Sequence, residues 1–260
     1  MRETSAPLLE RLLDEKNHGI HGGIYHKIQV DLAYNSNHIE GSRLSHDQTR
    51  YIFETHSLYG DNILVDDVIE TANHFRCLDY LLDHIKEPIN SDTIKTLHRI
   101  LKTGTFSSQS REAVVGDYKK YPNYVGDLRT SPPNRVEQDM DILLSKFPGQ
   151  EPVTLDTLLD FHAQFEKIHP FYDGSGRIGR LLLFQQCLAY DLVPFIIRED
   201  HRIFYYRGLK EWQAKNGEHG YLRDTCLLEQ DNMKRVLDYF EIPYEAEEQK
   251  EKPKDWTESR

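Results

Sequence analysis

Apolar residues recur at helical spacing along most of this chain. Leu155, Leu158, Leu159, His162, Phe165 and Ile168 mark one face, at intervals that keep them on the same side of a helix. Ile178, Leu181, Leu182, Gln185, Leu188 and Ala189 resume the period. Upstream, Val68, Ala72, Phe75, Leu78, Leu82 and Ile85 predict a helix over 64–85. Ile94, Leu97 and Leu101 predict another, capped by Asn90 or Ser91 and stopped at Gly104. Further helices are expected over 47–54, through Val136, Met140, Leu143, Leu144 and Phe147, from Phe204 onward, and over 221–240. Leu8, Leu9, Leu12 and Leu13 suggest a small helix followed by a glycine-containing loop. His74, His84 and His98 sit at unrelated phases and read as structural or exposed.

The helical period disappears between Thr105 and Pro133. Residues 118–131 read as an extended β-hairpin turning near Gly126-Asp127. Val193 to Ile197 is a short apolar connection, and the charged stretch 243–260 is expected to be disordered.

Chemistry concentrates between the two best helical patterns, in His169-Pro170-Phe171-Tyr172-Asp173-Gly174-Ser175-Gly176-Arg177-Ile178-Gly179-Arg180. Pro170 disfavours helical geometry at His169, so the first helix should stop there. The glycines then form the turn that opens the second. Such a helix start carries unpaired N–H groups and partial positive charge, which attract anions. Gly174 and Gly176 have no Cβ to hold a phosphate away, so their amides can form a nest. Arg177 and Arg180 are neighbours on one helical face beside it. Asp173 suits Mg²⁺, which commonly takes one carboxylate plus substrate phosphates. His169 can accept a proton near neutral pH. Each feature has a structural reading alone; their combination points to a site.

This stretch resembles the motif of the Fic-domain proteins, His-x-Phe-x-Asp/Glu-Gly-Asn-Gly-Arg-x-x-Arg, at His169, Phe171, Asp173, Gly174, Gly176, Arg177 and Arg180. It departs at Ser175, where the family usually has asparagine. The resemblance implies a mostly α fold, a Fic-type helical bundle with a β-hairpin flap. It also implies transfer of AMP from ATP to a Tyr, Thr or Ser hydroxyl of a protein, with pyrophosphate released. His169 would be the general base and Asp173 the Mg²⁺ ligand. Gly174, Ser175 and Gly176 would cradle phosphate, and Arg177 and Arg180 would contact the β- and γ-phosphates. Serine has one hydroxyl and a shorter reach than asparagine, so weaker positioning of the α-phosphate or a changed donor is an alternative. By the same resemblance, Tyr205 or Tyr206 would border the adenine pocket. Tyr124, Val125 and Leu128 would lie on the flap that holds a target segment by strand addition. Gly116-Asp117-Tyr118-Lys119 is similar to the family's Gly-x-Tyr-Arg.

Residues 31–43 read as one short helix ended by Gly41, with Ser36 and Glu40 on one face. Ser-x-x-x-Glu-Gly resembles the inhibitory motif of one class of Fic proteins, whose glutamate pairs with the second motif arginine, here Arg180. Glu40 would then compete with the γ-phosphate for one guanidinium. The expected organisation is an N-terminal helical region over 1–60, a catalytic core over 61–242 and the tail. Regulated AMP transfer leads; nucleotide sensing with little transfer, AMP removal, or transfer of another phosphate-containing group are the alternatives.

Composition narrows the partners. The 260 residues suit one medium-sized domain with extensions, and the formal charge of −11 argues against nucleic acid or an acidic membrane. Cys77, Cys187 and Cys226 lack metal-like spacing and cannot all pair, which favours reduced thiols in a cytoplasm. No apolar run approaches membrane-spanning length and the polar N-terminus lacks a signal-peptide core. The expected partner is a protein bound along the flap, the chain itself included, and a homo-oligomer is compatible with the sequence.

Overall fold

The computed structural model describes residues 3–126, 128–148, 152–214 and 220–245. The helices are α1 (Ala6–His18), α2 (Ile24–Ile39), α3 (His46–Thr55), α4 (Val65–Asp83), α5 (Ser91–Lys102), α6 (Val136–Lys146), α7 (Leu155–Ile168), α8 (Ser175–Ala189), α9 (Arg202–Gln213) and α10 (Gly220–Tyr239). Strands β1 (Tyr124–Val125) and β2 (Leu128–Arg129) form a short antiparallel pair.

Helix α8 is the axis. Its residues from Ser175 to Leu188 are all buried, as expected of a helix enclosed on every side. Helix α7 packs along it, and α2, α4 and α5 cover its other faces. Leu8, Leu12, Ile24 and Ile28 of the N-terminal helices share one core with Leu78, Leu97, Phe165, Ile178 and Leu181. A second core joins Leu158, Leu159, Leu183 and Cys187 to Tyr205, Leu209 and Cys226.

Local chemistry sets several helix starts. The Thr154 hydroxyl accepts from the Thr157 N–H to open α7, Ser45 does the same from Gln48 for α3, and the Asn90 side chain caps α5 from Thr93. Such caps satisfy amides left unpaired at a first turn.

The structure corrects three expectations. Helix α2 starts at Ile24 rather than near Asp31, so the segment bearing Ser36 and Glu40 ends a long helix. The hairpin is shorter than 118–131, with two residues per strand, and Asp127 lies outside the described residues. At the tail, Glu245 forms a bridge with Glu3, and the Thr4 N–H donates to the Tyr244 carbonyl at 2.8 Å. Residues 246–260, expected to be disordered, lie outside the described set. The three cysteines are free and buried. No helix among the described residues is long and apolar enough to cross a membrane.

Candidate active site

The motif loop connects α7 to α8. His169 ends α7 in the left-handed conformation with φ 50°, uncommon for a residue with a Cβ. Gly174, with φ 91°, begins α8; a Cβ there would be strained and would press on Leu101 and His98. Between them, Phe171 is fully buried and stacks on His98 at 3.8 Å. His98 also fixes the loop by hydrogen bonds, Nε2 with the Asp173 carbonyl at 3.0 Å and Nδ1 accepting from the Gly116 N–H at 3.0 Å.

Ser175 closes the loop on itself. Its hydroxyl accepts from the Phe171 N–H at 3.0 Å and donates to the Phe171 carbonyl at 3.2 Å, with no surface exposed. Its hydroxyl thus holds the turn rather than facing a phosphate, while its main-chain N–H belongs to the first turn of α8.

Asp173 and Arg177 belong to a closed ring of charge. Asp173 accepts from Arg177 at 2.9 Å and from Lys102 at 2.5 Å, and Glu70 pairs with both cations. Burial opposes ionisation of Asp173, but Arg177 and Lys102 outweigh it and hold the carboxyl at about 2. The Asp173 carboxylate is 48% exposed while Lys102 and Arg177 are nearly enclosed, so its oxygens are the open edge of the ring. A small cavity lined by Lys102, Ser107, Tyr172 and Asp173 opens beside it.

Arg180 is held by the N-terminal helix. Its guanidinium donates to the Ser36 hydroxyl at 3.0 Å, the Ser36 carbonyl at 2.9 Å and Glu40 Oε1 at 2.7 Å. Burial would raise the Glu40 pKa, yet Arg180 and Arg177 pull it below the ordinary carboxylate range. A Cβ at Gly176 would strike Glu40 Oε1; the glycine leaves room for a carboxylate over the first turn of α8, where an anion is favoured.

The hairpin is tied to the same loop. The Lys119 N–H donates to the Pro170 carbonyl at 2.9 Å and the Ser131 N–H to the Ile168 carbonyl at 3.3 Å. Buried Lys119 reaches the His169 carbonyl at 2.8 Å, Asn123 at 2.7 Å and Thr130 at 2.6 Å. Desolvation lowers the Lys119 amine to about 8. His169 is likewise lowered by burial, reinforced by the nearby Lys119 charge, to about 4, and its imidazole is neutral at pH 7.

Of the residues expected from sequence, the structure brings His169, Asp173, Gly174, Gly176, Arg177, Arg180, Ser36 and Glu40 together around one helix start. Tyr124, Val125 and Leu128 lie on the hairpin, whose base adjoins that loop. Tyr205 is corrected: it is fully buried with its hydroxyl 2.8 Å from His162 Nε2 and offers no surface to a ligand. Tyr206 is 40% exposed and donates to the Ile39 carbonyl at 3.4 Å. Sequence reasoning missed Glu70, Lys102 and the anchoring role of His98, and passed over Glu166 in the last turn of α7. The signal available was polar residues on otherwise apolar helix faces.

The arrangement sets a neutral imidazole, a half-exposed carboxylate and two buried guanidinium groups at one helix N-terminus, where an anion is favoured. Residues 88–187 match the model of the Fic/DOC family. It is 31% identical over 192 residues to a protein adenylyltransferase Fic of Nematostella vectensis, covering 71% of this chain and 43% of that protein. It is 26% identical over 208 residues to protein adenylyltransferase fic-1 of Caenorhabditis elegans, covering 76% and 40%. The chain thus spans less than half the length of these curated relatives. Its fold resembles that of a Fic-domain-containing signalling protein from Bacteroides thetaiotaomicron, with a TM-score of 0.70, 22% identity, and 82% and 86% of the two chains covered.

Proposed function

We propose that this chain transfers AMP from ATP to a protein hydroxyl and is restrained by Glu40. The observation that carries the reading is the convergence of neutral His169, ionised Asp173, Arg177 and Arg180 on the glycine-opened start of α8. The adenylyltransferase names of the relatives support it. His169 takes the proton as the target hydroxyl oxygen forms a bond to the α-phosphorus and the bond to the pyrophosphate oxygen breaks. The α8 amides and the two arginines hold the phosphates and stabilise charge on the leaving pyrophosphate. Tyr206 is the tyrosine with surface to border a base.

The residues also fit a divalent cation. Among the described residues no three metal-ligating side chains cluster, and Mg²⁺ needs no such cage because it shares a carboxylate with substrate phosphates. Asp173, ionised and partly exposed, would hold it, and the ion would neutralise phosphate charge there.

The hairpin from Tyr124 to Arg129 serves as the flap along which a target segment pairs through its backbone. Residues 1–60 act as the regulatory region of the core over 61–242, and the buried thiols suit a reducing compartment. Glu40, bonded to Arg180, holds that guanidinium away from the terminal phosphate and so restrains transfer.

The test is incubation with α-labelled ATP, Mg²⁺ and cell lysate, with the added mass read by mass spectrometry. Addition of AMP, abolished in His169→Ala while ATP binding persists, is expected. Undiminished labelling by His169→Ala, or ATP binding without any turnover after Glu40 is removed, would overturn the reading in favour of a nucleotide sensor.

A further inference from the structure

Glu166 lies one turn before His169, and 9% of its side chain is exposed. Its Oε2 is 3.9 Å from His169 Nδ1. Glu166 Oε1 and His169 Nδ1 are both buried without a hydrogen-bond partner. Unsatisfied buried polar atoms are rare and costly; here two of them occupy adjacent side chains.

The packing holds the carboxyl in place. A Cβ at Gly179 would collide with Glu166 Oε1, so the absence of a side chain at Gly179 makes the space this carboxyl fills. Burial, opposed by Arg180 and supported by Glu40, pushes its pKa up to about 8. The charged groups acting on His169 are Lys119, Glu40 and Asp173, and the Glu166 main-chain carbonyl is a competing acceptor for its ring N–H that every Glu166 variant keeps. A neutral carboxyl keeps an acceptor oxygen and carries its own donor. It can receive an N–H from a neutral imidazole without introducing a buried charge.

We propose that Glu166 is a positioning residue for His169, accepting the Nδ1–H and so fixing the tautomer whose Nε2 lone pair faces the target hydroxyl. This rests on His169 being the base. A shift of under about 1 Å converts the present separation into a hydrogen bond, and catalytic hydrogen bonds commonly tighten only when substrate is bound. The proton balance is simple. The target O–H bond breaks, the proton forms its new bond to Nε2, and the Nδ1–H remains shared with Glu166, which keeps its own proton.

The test combines long-range ¹H–¹⁵N spectra of the histidine rings with steady-state transfer in wild type, Glu166→Gln and Glu166→Leu. Wild type and Glu166→Gln, which retains a carbonyl acceptor of the same size, should show His169 protonated at Nδ1. In Glu166→Leu that tautomer should be lost and kcat should fall roughly tenfold or more, with KM for ATP unchanged. Rescue by glutamine separates positioning from loss of bulk, because glutamine keeps both the shape and the acceptor whereas leucine keeps bulk alone. An Nε2–H tautomer in the wild type overturns the proposal whether or not the variants fold, and so does an unchanged tautomer in Glu166→Leu. The ring spectra need no turnover. A missing transferase activity alongside a Glu166-dependent tautomer would therefore count against the base assignment and leave the pairing intact.

Discussion

Arg180 Nη2 donates to Glu40 Oε1 at 2.7 Å, joining the end of α2 to the first turns of α8 across 140 residues. The same guanidinium is the group that a terminal phosphate would seek, and Ser36 holds it from the other side. A hydrogen bond to a charged partner is worth about 1.5–3 kcal/mol. Glu40→Gly should therefore raise self-labelling from α-labelled ATP by roughly tenfold to a hundredfold if it removes only this competitor. Labelling no higher than wild type, with the variant folded, would show that the pair does not limit transfer.

Glu70 raises a separate question about the other motif arginine. It bridges Lys102 and Arg177, and 3% and 4% of those two side chains are exposed. Removing one member of a buried ion network leaves an uncompensated charge and costs roughly 3–5 kcal/mol, whereas replacing charged partners together costs far less. Glu70→Met should lower the urea midpoint steeply, and Glu70→Met with Lys102→Met should recover part of the loss. Additive losses in this double-mutant cycle would mean that the two residues are not coupled.

The difference between Glu40 and Glu70 also explains what could be read from the sequence. Glu40 stands in a short pattern with Ser36 and Gly41, and the motif from His169 to Arg180 packs its chemistry into consecutive residues. The clustered chemistry therefore marked the second, the resemblance to a family motif singled out Glu40, and apolar periodicity marked the helices on either side. Glu70 and Lys102 lie singly on helices α4 and α5, and only the packing of those helices on α8 brings them to Asp173 and Arg177. His98 reads as structural or exposed because its phase is unrelated to those of His74 and His84; its ring reaches Phe171 only in the folded chain. Tyr205 and Tyr206 are adjacent in sequence but point about 100° apart around a helix, and periodicity did not decide which one faced inward.

Buried histidines make stability fall on mild acidification. Desolvation lowers His74 and His162 to about 3 and His98 and His169 to about 4, from the ordinary imidazole value of 6.5. Between those values and 6.5 the unfolded chain binds protons that the folded chain refuses, so stability declines as pH drops through this window. Each such group contributes at most roughly 1.4 kcal/mol per pH unit. Glu166 acts in the opposite direction, since burial raises it from 4.5 to about 8 and folding is penalised as pH rises between those values. One carboxyl does not offset four imidazoles. The urea midpoint should fall clearly from pH 7 to pH 5, and a flat profile would contradict the neutral burial of these rings.

Lys119 permits a separation of stability from activity. Its amine joins the His169 carbonyl to Asn123 and Thr130, and none of its hydrogen-bond partners is a carboxylate. Lys119→Met removes an amine that burial has already lowered to about 8, which relieves a desolvated cation. It also frees acceptors that cost about 1–3 kcal/mol each if left unpaired. Because these effects oppose one another, the urea midpoint should change little, within about 2 kcal/mol in free energy. Transfer should suffer more, since the backbone of the proposed base and the root of the hairpin lose their common anchor. The expected outcome is a kcat reduced by roughly tenfold with ATP affinity preserved. A variant with normal kcat and a much lower midpoint would assign Lys119 to the core alone and leave the hairpin positioned by the backbone bonds to Ile168 and Pro170.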